Sequence, residues 1–170
     1  MGAAPPFDLA QGLRRVVTGV DGQGRSTVVR EEVVRGDPRG LLLWAADAPP
    51  RAGSAEPPAT SGWWPPPGGL RVTLSTRAPD RDASAAPRPE GQPWPDIDDA
   101  LGFHASASTD VVVMISGRIW LQLDTCEVEL KAGDVLIQNG TRHRWRNHAA
   151  DWPLMAVVIV GAAEAAAHAA

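Results

Sequence analysis

The chain of 170 residues holds one cysteine, no tyrosine, two phenylalanines and a single lysine, Lys131. Each shortage excludes something. A lone Cys126 cannot close an internal disulfide and fits a reducing compartment, so a cytoplasmic location is expected. Twenty acidic residues outnumber sixteen basic ones, for a net charge of −4 and a pI of about 5.5. There is no positive excess to neutralise phosphates, and no nucleic-acid partner is expected. No apolar run reaches the length of a membrane span. The opening residues, Met1-Gly-Ala-Ala-Pro-Pro-Phe-Asp8, lack the apolar stretch of a secretory signal. Pro6 also stands where a myristoylation signal requires Ser or Thr, so no membrane partner is expected. No Gly-rich phosphate loop, nucleophile elbow or CxxC pair occurs.

What is plentiful is Ala, Pro, Gly, Arg and Trp, the last with seven copies. Residues 1–12 read as a loose leader. The stretch from Arg14 to Arg30 reads as two strands around a Gly-rich turn at Asp21–Gly24. Leu41–Ala45 and Leu70–Ser75 have strand character. Between and after them lie two Pro-rich loops, 46–69 with Trp63 and Trp64, and 77–100 with Trp94 and the acidic run Asp96–Asp99. From 101 to 160 the chain turns regular, with strand-like runs near 102–106, 110–116, 118–123, 127–130, 134–138, 142–147 and 154–160. Short turns separate them, and residues 162–170 form an Ala-rich tail. Strands at this spacing without a convincing helix indicate an all-β sandwich or small barrel, with 13–161 as one domain.

The residues that carry chemistry concentrate late. In His104-Ala-Ser106-Ala-Ser108-Thr-Asp110, an extended backbone puts residues 104, 106, 108 and 110 on one face. An imidazole, two hydroxyls and a carboxylate would then line up. On an inward face such groups are costly unless they pair or bind something. In Gly133–Asn147 a strand, a tight turn and a second strand follow each other, and alternation sends His143, Trp145 and Asn147 inward. Arg142, Arg144 and Arg146 then point outward as a solvated stripe. Met114 shares the parity of Asp110 and is expected to line the cavity.

These two segments resemble the motifs of the cupin superfamily. The first cupin motif, two histidines, a glutamate and a glycine, is matched at His104, Ser106, Asp110 and Gly117, with Ser for the second His and Asp for Glu. The second is matched at Gly140, His143 and Asn147, with Gln138 in place of Pro and Gly133 one residue closer than usual. The segments beginning at Arg15 and Gly133 make the chain similar to short single-domain bacterial and fungal cupins, over most of residues 14–160. The resemblance implies a double-stranded β-helix (jelly-roll) barrel.

It also implies an interior site in which His104, Asp110 and His143 act as metal ligands or as acid and base. Ser106, Met114, Trp145 and Asn147 would contact a small-molecule ligand. Two histidines and a carboxylate suit non-haem Fe, and also Zn, Mn or Ni. An ion-free pocket in which these side chains bond to one another is the alternative. Exposed edge strands point to a homodimer. The expected function is a small-molecule enzyme of lyase, isomerase, cyclase or oxygenase type, perhaps in secondary metabolism. A non-catalytic ligand-binding cupin with a degenerate metal site is the second reading, and a structural protein with a vestigial site the third.

Overall fold

A computed structural model describes residues 9, 11–36, 40–50, 52, 60, 62–81 and 102–163. Most of the leader, Trp94, the acidic run at 96–99 and the tail beyond 163 lie outside the described residues.

Among the described residues ten strands form three sheets: β1 Leu13–Val20, β2 Ser26–Val34, β3 Gly40–Ala46, β4 Leu70–Thr76, β5 Ser108–Ser116, β6 Arg118–Gln122, β7 Glu127–Lys131, β8 Val135–Asn139, β9 Arg144–Arg146 and β10 Leu154–Gly161. The first two make a hairpin of their own. The others form a five-stranded sheet, β3-β4-β10-β5-β8, and a three-stranded sheet, β7-β6-β9. This is the all-β architecture expected from the strand spacing. No helix among the described residues is long and apolar enough to cross a membrane.

Local chemistry explains the turns. In the β1–β2 hairpin, Asp21 accepts hydrogen bonds from the backbone N–H groups of Gln23 and Arg25, and Gly24 supplies the positive φ that closes the turn. Gly117 does the same between β5 and β6. A side chain there would also press on the Pro153 backbone, whose Cα would lie 2.9 Å from the added carbon.

The core lies between the two larger sheets. Val112 and Met114 of β5 and Met155 of β10 meet Ile119 of β6 and Leu130 of β7, with Leu136, Trp145 and Val157 packed around them. Fully burying each such side chain contributes roughly 1.5–3 kcal/mol, which makes this cluster the main anchor between the sheets. Met114 therefore belongs to the core.

One expected strand is absent. Residues 102–106 form no ladder beyond a bridge between His104 and His143. Likewise 142–147 shortens to the three residues of β9. Both segments spend their backbone groups on this bridge and on turns.

Candidate functional site

The bridge that replaces the missing strand builds the site. His104 N–H donates to the His143 carbonyl and His143 N–H donates to that of His104, both at 2.9 Å. This reciprocal pair fixes the two residues face to face, with ring centroids 4.4 Å apart and planes tilted by 54°. His143 is buried and His104 half-buried.

His143 is oriented by its neighbours in the β8–β9 turn. Its Nδ1 lies 2.9 Å from the Thr141 carbonyl and 2.9 Å from the Gln138 amide nitrogen. That amide sits 2.7 Å from the Thr141 carbonyl and 2.6 Å from the Thr141 hydroxyl, so both of its protons are engaged there. With the proton on Nδ1 the ring donates to the Thr141 carbonyl and presents Nε2 as an acceptor. Burial pushes the His143 pKa down and the nearby His104 adds to this, against the opposing Thr141 bond, so the ring is neutral near pH 7.

Asp110 lies on β5 opposite Gln138 of β8 and Ile159 of β10. It ends a chain of hydroxyls: Ser108 Oγ donates to Asp110 Oδ1 at 2.7 Å, and Ser106 Oγ lies 2.8 Å from Ser108 Oγ. Since Ser108 spends its one proton on Asp110, Ser106 is the donor of that pair. Burial pushes the Asp110 pKa up, with the Ser108 bond and the His104 charge pulling the other way. An open cavity of about 420 Å³ touches Ser106 and Ser108 beside Asn139, Gly140 and Ala162.

The remaining expected residues divide. Trp145 meets His143 edge-on, with centroids 6.0 Å apart. Asn147 is 1% exposed, and its amide is wholly engaged with backbone. It donates to the carbonyls of Arg77 and Asp151 and accepts from Ala149 N–H. It braces the loops around β9, which is a different role from the ligand contact expected of it. The outward arginines are each paired: Arg142 with Asp124, Arg144 with Gln122 and Arg146 with Asp80. Arg142 and Arg144 also sit over the Phe103 ring, at 4.2 and 4.9 Å.

Among the described residues, no three His, Cys, Asp or Glu side chains gather closely enough to hold a metal ion. The histidines come together, but the shorter Asp110 carboxylate faces the serines and Ser106 stands where a further imidazole would be needed. The side chains as placed do not fit a divalent centre, and what they offer is a neutral imidazole and a protonatable carboxyl.

Two participants have site partners that the sequence does not name. Gln138 appeared only as a departure from a motif, although its place opposite Asp110 in the ladder follows from strand pairing. Trp64, from the first Pro-rich loop, sits with its ring centroid 6.1 Å from that of His104. Its partner lies forty residues away in the chain, and no periodicity reports such a contact.

No family model matches the sequence. It is similar to two proteins of Diaporthe leptostromiformis, Phomopsin biosynthesis cluster protein C' and protein D. Each is 48% identical over 46 residues, which is 26% of this chain and 24% of theirs. The match thus spans about a quarter of the length of these curated relatives. Among solved structures, the Cupin 2 conserved barrel domain protein of Salinispora arenicola is 18% identical, covering 73% of this chain and 76% of its own, with a TM-score of 0.43. An RmlC-like cupin family protein of Methanocaldococcus jannaschii, described as a double-stranded β-helix, is 17% identical. It covers 54% of this chain and 70% of its own, with a TM-score of 0.39. In this all-β fold the five-stranded sheet carries Asp110 and Gln138, the bridge at the edge of the three-stranded sheet carries the histidines, and the core cluster holds the two together.

Proposed function

We propose that this chain is a small-molecule enzyme of the cupin type that works by proton transfer inside its barrel. The observation that carries the reading is His143, buried, held by Thr141 through Nδ1 and presenting Nε2 as an acceptor, on the same interior as a carboxyl whose proton is held more tightly than usual. A neutral imidazole accepts a proton, and Asp110, whose pKa burial raises, supplies one when protonated, with His104 beside both to bind or orient the substrate. Groups whose environments shift their pKa values in opposite directions are suited to base and acid roles. Lyase, isomerase and cyclase chemistry can each use such a pair. The likeness to phomopsin cluster proteins supports a substrate from secondary metabolism. The chain acts as a single barrel domain in the cytoplasm, where the exposed Cys126 stays reduced.

We also infer a homodimer. The outward positions of β5, β8 and β10 read Val111-Val113-Ile115, Val135-Ile137 and Ala156-Val158-Val160, and five of these side chains are well exposed. An uncharged sheet face of this extent is best covered by the same face of a second copy, which matches it by symmetry.

The test is turnover of candidate polyketide or peptide-derived substrates by the full chain, with metal content measured on the same preparation. His143→Gln and Asp110→Asn should each lower kcat by about 10²-fold or more. Unchanged turnover in both variants would overturn the reading. Tight ligand binding without turnover would instead favour a non-catalytic binding cupin, and turnover that tracks added metal would favour a metal-dependent one. Folding gives a second readout. Asp110, with its pKa raised, stabilises the fold at low pH and loses that contribution as pH rises from the ordinary carboxylate range through its folded value. His143, with its pKa lowered, has the opposite sign: stability increases as pH rises from its folded value towards 6.5. Thermal melts across pH should therefore flatten in each low-pH window when the corresponding side chain is replaced.

A further inference from the structure

We propose that Trp64 is a specificity-determining residue of the His104–His143 site and that the ligand it selects carries a planar unsaturated ring. The proposal rests on the reading of that site as the place where a small molecule binds. Trp64 is only partly buried, in a loop, with its ring tilted by 36° to that of His104. The four rings Trp64, His104, His143 and Trp145 follow one another with centroids 6.1, 4.4 and 6.0 Å apart. They make an aromatic series that runs from the half-exposed loop to the core. Flat π surfaces of this kind favour flat partners, by offset stacking or edge contact.

The loop that presents Trp64 is held rigidly. Arg71 of β4, 1% exposed, donates to the carbonyls of Gly62, Ala46 and Leu70 and pairs with Asp47 at 2.6 Å. On the other side of Trp64, Gly68 N–H donates to the Gly161 carbonyl, Gly161 N–H to that of Gly69, and Gly69 N–H to that of Pro66. The contact at Gly161 is so close that a Cβ there would run into the Pro66 carbonyl and lie 2.6 Å from that of Pro65. Three successive prolines, Pro65 to Pro67, stiffen the span between these anchors. A buried arginine and a glycine contact thus hold one indole beside one imidazole while leaving both partly open. A rigid aromatic wall reduces the ordering cost of binding, which is what a selective surface requires.

The test uses ligand-detected NMR on the full chain with two flat probes, benzoate and quinoline, and two saturated ones, cyclohexanecarboxylate and cyclohexanol. The flat probes should bind and the saturated ones should not. Trp64→Phe should keep affinity within about threefold and Trp64→Leu should lose about tenfold, the range of a stacking contact. Gly161→Ala, which displaces the loop while keeping the indole, should weaken binding as Trp64→Leu does. Circular dichroism checks that each variant is folded. Equal binding of saturated probes, no binding of flat ones, or unchanged affinity in folded Trp64→Leu would overturn the proposal. His143→Gln separates the two readings. It should lower turnover by about 10²-fold or more while the preference for flat over saturated probes persists, since the indole remains in place. Trp64-dependent binding with turnover indifferent to His143 would sink proton transfer alone.

Discussion

The two sheets that enclose the core treat their outer faces in opposite ways. On the three-stranded sheet the outward positions pair Arg118 with Lys131, Trp120 with Glu129 and Arg146, and Gln122 with Glu127 and Arg144. Charge and amide cover that face, and Ile119, Leu121 and Leu130 point inward. The five-stranded sheet has no such alternation. Its inner side carries Val112 and Met114 and its outer side carries Val113, Ile115, Val135 and Ile137, so it is apolar on both sides. An antiparallel sheet with one wet face alternates, and one covered on both faces does not. The smaller sheet presents a polar outer face and the larger an apolar one. The larger one also buries a full charge, Arg71, which the smaller never does.

That contrast can be broken at its strongest point by replacing Arg71 with Met. The change removes the bonds from Arg71 to Asp47 and to the carbonyls of Ala46 and Gly62, and should lower stability by about 3 kcal/mol, measured by urea unfolding. Next comes the outer face itself. Ile137→Glu should convert the proposed dimer to a monomer in sedimentation and remove the concentration dependence of Tm, whereas Trp120→Glu on the other sheet should leave the oligomeric state unchanged. If both variants stay dimeric, the apolar face is not the contact. The smallest effect is expected at the Arg118–Glu129 pair, 3.2 Å apart with both side chains largely in solvent. Arg118→Ala should change stability by no more than about 0.5 kcal/mol.

Much of this architecture was legible in the sequence because it rests on local signals. The strands from Ser108 to Gly161 follow alternation and turn residues, and Ser116-Gly117 and Asn139-Gly140 mark their turns by backbone conformation alone. The inward set His104, Ser106, Ser108 and Asp110 follows from parity. What escaped is non-local. Nothing in Gly102–Ser106 reveals that its strand pairing is a single bridge to His143 and not a full ladder. Arg71 sits in a strand where an arginine normally points to water, and its burial depends on carbonyls supplied by a Pro-rich loop. Asn147 keeps the parity of an interior residue, yet its amide is consumed by Arg77 and Asp151, which only the folded loops bring within reach.

The backbone bridge between His104 and His143 has a consequence for chemical complementation. Because main-chain bonds set the spacing, deleting either side chain leaves its partner in register and opens a socket the size of one imidazole. In a His143→Gly variant that socket is still bordered by Thr141, Gln138 and the His104 ring. Free imidazole supplied in solution would find an acceptor for its N–H already aimed, and the barrel would lend a small diffusible base the orientation that its own side chain once had.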